Sequence, residues 1–319
     1  MESTQKSSEG RHARTPIAMT QRGWRDILLR VYKNLGKDSL GLISAGVAFY
    51  FLLAIFPAAS AFVAIYGLLN DPVDAQLQFQ RVGELLPPEG KQVLLQQMKE
   101  VTGSAKSTLG LGAFASLVFA LWSAMRGSTA MITALNVVYN EEDSRGFLQL
   151  RLLAFILTVG TVLFFALSLF LIAILPPVLA VVGLGSFVEW VLSLARWPLL
   201  VLAIMFILSV FYRYGPNRTQ AQWRWVTPGA LLAMVLWISG SALFSWYVSR
   251  FSNYNETYGA LGAVVILLMW FFLTAFSFLL GAEFNAELEH QTEHDTTVAP
   301  EQSMGERGAY MADTVGKSP

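Results

Sequence analysis

Six long apolar blocks, parted by short polar stretches, occupy the chain from about residue 41 to residue 282. The clearest, Gly259–Ala282, carries no charged side chain. About 20 such residues match the hydrocarbon thickness of a bilayer, and in lipid every backbone polar group must be satisfied within the segment. The chain therefore reads as an all-α membrane protein. Apolar residues make up 54% of it and charged residues only 14%, against roughly a quarter in soluble domains.

The expected architecture is a six-transmembrane helical bundle. Its spans are placed at Ala45–Leu69, Leu109–Leu135, Leu152–Leu175, Trp197–Tyr212, Val226–Val248 and Gly259–Ala282. Pro176 and Pro177 end the third span, since neither donates a helix hydrogen bond. Val178–Arg196 is apolar but interrupted by Gly183, Gly185, Glu189 and Arg196; it reads as a short interfacial or re-entrant helix, with a seventh span as the alternative. Ahead of the first span, Trp24, Ile27, Leu28, Val31 and Leu35 share one helical face, which predicts a helix on the membrane surface. The first apolar run starts too deep in the chain for a cleaved leader and is expected to stay as an anchor.

Basic residues set the direction. Of the 22 Lys and Arg residues, all but Arg81, Lys91, Lys99, Lys106, Arg196 and Arg250 fall on the side of the N-terminus. That asymmetry predicts cytoplasmic termini and an even number of crossings. Residues 70–107 then form the one large outer loop, read as two amphipathic helices split by Pro87 and Pro88. The loop is either a cap on the bundle or a docking surface for an envelope protein. Residues 1–20 and 290–319, rich in Ser, Thr, Glu and Gly, read as disordered cytoplasmic tails flanking a membrane domain at 21–289.

Several polar features stand out against this background. Arg126 follows an apolar run and precedes Ser128, Thr129, Thr133 and Asn136. A guanidinium at that depth either snorkels to the headgroups or faces an anion site inside the bundle. Glu283 and Asn285 close the last span, and Glu283 is expected opposite Arg126. Asn253, Tyr254, Asn255 and Tyr258 crowd the hairpin before it, as an interfacial turn or as the outer mouth of a path. Gly112, Ser116, Ala120, Ala124 and Ser128 recur every fourth residue, a small-residue stripe that suits close helix packing or a sliding interface.

Other chemistries find little support. The chain has no cysteine, and its three histidines, His12, His290 and His294, lie in or beside the tails. No third ligand completes a metal site, so neither metal nor cofactor is expected. A net charge of zero gives no electrostatic footprint for nucleic acid. Catalytic function is not expected.

Taken together, GVAFYFLLAIFPA (46–58), WSAMRGSTAMITALNVVYNEED (122–143), YRYGPNR (212–218), WRWVTPGALLA (223–233), FSNYNETYGALGAV (251–264) and GAEFNAELE (281–289) resemble the YihY/virulence factor BrkB family of bacterial inner-membrane proteins. The resemblance covers about residues 24–289. It implies six spans in the cytoplasmic membrane and a link to envelope integrity, serum resistance and, for some members, export of envelope lipids. Members once carried the label ribonuclease BN. The chain departs from its relatives at Thr129 and Thr133, where they often carry further basic residues. The expected function is transport or export of an anionic amphipathic envelope molecule, with Arg126, Asn136 and Glu283 on the cytoplasmic part of its path. The alternative is a membrane scaffold that binds an envelope partner through 70–107. Membrane lipids are the expected partners in either case.

Overall fold

The structure, a computed structural model, describes residues 10–69, 111–169, 171–172, 186–250, 260–298 and 300–317. Among these the chain is helical: α1 (Gln21–Lys37), α2 (Leu40–Leu69), α3 (Leu111–Val138), α4 (Phe147–Leu169), α5 (Ser186–Tyr214), α6 (Trp223–Arg250), α7 (Ala260–Gln291) and a final turn, α8 (Tyr310–Asp313). The outer loop at 70–107 and the hairpin carrying Asn253, Tyr254, Asn255 and Tyr258 lie outside the described residues.

Among the described residues, four helices are long and apolar enough to cross a membrane: Phe147–Ser168, Trp190–Tyr214, Trp223–Arg250 and Gly262–Gln291. A fifth joins them if α1 and the start of α2, bent by 65°, count as one span. Six crossings is a finer count than this. Buried hydroxyls inside these helices close onto their own backbone, as Thr158 does on Ala154 (2.7 Å) and Thr274 on Trp270 (2.9 Å), so they need no partner from lipid.

Two boundaries differ from expectation: α7 continues past Ala282 to Gln291, and α5 starts before Trp197. Ser186–Arg196 is not a separate interfacial element but the opening turns of α5, which runs unbroken through Pro198 to Tyr214. Membrane helices tolerate an interior proline, because neighbours satisfy the freed carbonyl. The Arg196 guanidinium, which suggested an interruption, stacks over Trp197 at 5.3 Å.

Helix α7 is the axis of the fold, packing on α6, α2, α1, α3 and α8. Its Ala275, Leu279, Ala282 and Ala286 meet Leu135 of α3, Tyr212 of α5 and Ala230 and Ala233 of α6 in the main core. The start of α2 and the ends of α3, α5 and α7 gather at one polar end with residues 11–20 and the segment from Thr292 to Gly316. Thr20 caps α1 by accepting from the Gly23 N–H (3.1 Å), and Ser39, with φ 49°, turns the chain into α2. The stripe Trp24, Ile27 and Val31 does not face lipid. It packs on Trp225, Phe284 and Leu288.

The C-terminal segment, expected to be disordered, is packed as far as Lys317. Thr292 Oγ1 donates to Ala13 O (2.7 Å), Gln222 N to Thr296 O (2.9 Å), and Gly316 N to His290 O (2.7 Å). The Arg307 guanidinium donates to Ala312 O (2.6 Å) and Glu293 O (2.8 Å). The segment has few apolar side chains, but it gains order by supplying polar partners to helix ends and by burying Met311 and Ala312. Residues 10–20 are ordered likewise, with Ala13 and Met19 in the α1 cluster.

Candidate lipid-facing groove

Two polar assemblies dominate the structure. The first lies at the polar end. Arg30 of α1 pairs with Glu287 of α7 through Nε and reaches Gln291 Oε1 at 2.6 Å. The Asn34 amide bridges Glu283 Oε1 (3.0 Å) and Glu287 Oε1 (2.8 Å). Arg218 and Glu289 form an ion pair at 2.5 Å, their side chains 1% and 0% exposed, and Thr296 donates to the same carboxylate at 2.8 Å. Asn136 accepts from the Asn217 N–H (2.7 Å) and donates to Asp143 (2.9 Å). Arg145 beside Asp143 holds that carboxyl below its ordinary range and also ties the loop to Gly215 O (2.9 Å). Apart from the Arg145–Asp143 pair within its own loop, these bonds join different elements, so the assembly is a structural clasp.

The second assembly is a groove of about 500 Å³ between α2, α3 and α4. Ile43, Val47 and Tyr50 form one wall. Arg126, Thr129 and Thr133 form the facing wall, and Arg151 enters from α4. The spacing of Arg126, Thr129 and Thr133, at i, i+3 and i+7, puts them on one face of α3. At 1.5 Å per residue, this polar track descends from Thr133 by about 10 Å to Arg126. Arg126 and Thr133 are exposed, so the groove opens to the surroundings of the bundle.

Both arginines are held alike. Arg126 stacks over Trp122 at 4.3 Å and Arg151 over Phe147 at 5.1 Å, each aromatic ring coming from four residues earlier on the same helix. Among the described residues neither guanidinium has a carboxylate partner, and no carboxylate lines the groove. A cation–π contact contributes about 0.5–1 kcal/mol at an exposed site, whereas an arginine at membrane depth costs about 2.5–3.5 kcal/mol. The stacking alone would not offset that cost for a guanidinium held at such depth.

A family profile described as virulence factor BrkB matches residues 31–305. The chain belongs to this family. The ribonuclease-like protein YfkH of Bacillus subtilis (strain 168) is 33% identical over 77% of the chain and 88% of its own length. A UPF0761 membrane protein of Idiomarina loihiensis is 30% identical over 69% of the chain and 74% of its own length. Another, from Paraburkholderia xenovorans, is 25% identical over 77% and 56%. No solved structure matches. With four or five apolar helices of spanning length, this BrkB-family chain is a multi-pass membrane protein.

Within the BrkB-family fold the residues singled out from sequence separate. Arg126 lines the groove. Asn136 is spent on the loop clasp. Asn285 clamps α6, its Oδ1 accepting from Gly229 N (2.7 Å) and its Nδ2 donating to Val226 O (2.8 Å). Glu283 is buried on Asn34 rather than paired with Arg126, so the expected ion pair does not form. In the small-residue stripe Ala120 and Ser128 are buried and Ala124 is partly so; Ser128 Oγ lies 2.8 Å from Thr158 Oγ1 of α4. Gly112 and Ser116 lie in the first two turns of α3. Sequence reading missed Arg151 as a site residue, although an aromatic residue four before an arginine occurs at both positions.

Proposed function

We propose that this protein binds an anionic, amphipathic, lipid-like envelope molecule in the groove and carries it across the bacterial inner membrane, with both termini cytoplasmic. The observation that carries the reading is the pair Arg126 and Arg151, two stacked guanidiniums with no carboxylate, in a groove whose other walls are largely apolar. An anionic headgroup fits the guanidiniums, and acyl chains fit Ile43, Val47 and the exposed apolar flank of α2. This is a binding and transport role rather than a catalytic one, and the ribonuclease-like name stays with the relative that bears it.

The test is reconstitution with fluorescent phosphatidylglycerol and, in parallel, phosphatidylcholine. Wild-type protein is expected to move the anionic lipid between leaflets faster than empty vesicles do, and Arg126→Gln/Arg151→Gln to lose that gain. Movement no faster than in empty vesicles, or an unchanged rate in the double variant, would overturn the reading.

A further inference from the structure

Helix α1 has a second face that the fold leaves unpartnered. Its inner side is committed: Ile27 and Val31 are buried, and Arg30 and Asn34 reach Glu287 and Glu283 on α7. On the outer side Leu28 is 57% and Tyr32 78% exposed, with Leu29 also exposed between them. Arg22, Arg25, Lys33 and Lys37 flank these three residues and are all exposed. The one acid within the helix, Asp26, is half-buried.

The orientation of this face follows from the bend. Helix α2 presents Leu42, Phe49 and Leu53 outward, as a lipid-facing helix does, and α1 leaves its axis at 65°. Taking α2 as a crossing helix, the 65° bend turns α1 toward the membrane plane, at the level of the polar end. An amphipathic helix so placed sinks its apolar face a few ångströms into the headgroup boundary, and its basic residues gain about 1 kcal/mol each from anionic lipid. A protein partner would find no acid-accepting pattern beyond the same four cations, whereas an anionic leaflet meets the apolar strip and both basic flanks at once.

We infer that the outer face of α1 is a binding surface for anionic phospholipid, lying in the headgroup layer of the leaflet at the polar end. Leu28, Leu29 and Tyr32 insert, and Arg22, Arg25, Lys33 and Lys37 contact phosphate. This surface is separate from the groove and does not depend on transport.

The absence of native cysteine makes the test direct. Full-length protein carrying Leu28→Cys, Tyr32→Cys or, as a control, Ser303→Cys is labelled with an environment-sensitive fluorophore in nanodiscs. The discs contain phosphatidylcholine alone or with phosphatidylglycerol. Labels at 28 and 32 are expected to shift to the blue and to be quenched by a shallow lipid-borne quencher, more strongly with phosphatidylglycerol. The label at 303 should do neither. Replacing Arg22, Arg25, Lys33 and Lys37 with Gln should remove the phosphatidylglycerol dependence while leaving detergent-state thermal stability unchanged, since those side chains face outward. Labels at 28 and 32 that stay open to iodide and indifferent to lipid would overturn the inference. Shielding that appears only as protein concentration rises, with energy transfer between copies, would also overturn it, by showing that a second copy covers the face.

Discussion

Gly229 of α6 and Gly281 of α7 meet backbone to backbone. A Cβ built on Gly229 would collide with the Gly281 carbonyl oxygen and lie 2.5 Å from Asn285 Cγ; one on Gly281 would collide with Gly229 O and lie 2.7 Å from Ala233 Cβ. Backbones in a membrane bundle come this close only where small residues permit it. Gly229→Ala and Gly281→Ala are each expected to cost about 1–3 kcal/mol, the range for overpacking a tight contact. Gly160, with nothing near its Cβ position, is the control, and Ala there should be neutral or stabilising. Thermal unfolding in detergent compares them; equal midpoints for all three variants would count against the crossing.

The Arg218–Glu289 pair supports a second prediction. Both side chains are buried, and Arg218 also lies 5.0 Å from the Tyr139 ring centroid. Removing one partner strands a charge away from water, which costs about 3–5 kcal/mol. Arg218→Ala and Glu289→Ala should therefore be severely destabilised, while Arg218→Met/Glu289→Leu should recover much of the loss. Additive losses in the double variant would show that the pair is not coupled.

These two contacts also mark how far the sequence could be read. The apolar runs were legible because a bilayer imposes a length on them, but hydropathy did not mark every helix end: α5 begins at Ser186 rather than Trp197, and α7 runs on through Glu283, Asn285 and Glu287 to Gln291. Asn136, Glu283 and Asn285 were legible as unusual, because polar groups are costly at that depth. Their use was not, since it depends on which distant backbone passes by: Asn285 serves Gly229 and Val226, and Asn136 serves Asn217. Composition misjudged residues 292–317 for the same reason. Low hydrophobicity argues against a core, but it carries no information about helix ends that need hydrogen-bond partners.

Acid should open that C-terminal segment at a defined point. Burial alone would raise the carboxyls of Asp295 and Asp313, but backbone N–H donors outweigh it and hold both below their ordinary value. Asp295 accepts from Thr297 N (2.8 Å) and Gln302 N (2.9 Å), and Asp313 from Gly305 N (2.7 Å) and Arg307 N (2.9 Å). A depressed folded-state value means that the stabilisation is complete above the unfolded carboxylate range, about pH 4, and is lost as pH falls through the folded values. Hydrogen exchange over 292–317 should accordingly stay slow down to about pH 4 and rise below it. Asp295→Asn and Asp313→Asn should exchange fast even at neutral pH. Protection lost well above about pH 4 would count against these two carboxylates as the acid-sensitive groups.

The groove makes a prediction in the gaining direction. Thr133 is exposed in the groove that both arginines line, and its hydroxyl only closes onto Thr129 O at 3.1 Å. Thr133→Lys removes little that the fold uses and adds a cation on a stem long enough to reach the headgroup level. One further basic residue at the membrane surface contributes about 1 kcal/mol toward anionic lipid, or about fivefold in affinity. Titration with fluorescent phosphatidylglycerol should show that gain, shrinking as salt rises, with phosphatidylcholine unaffected. Thr133→Val should match the wild type for both lipids. If the lysine and valine variants bind phosphatidylglycerol alike, the charges of this groove do not select its ligand, and Arg126 and Arg151 must be explained some other way.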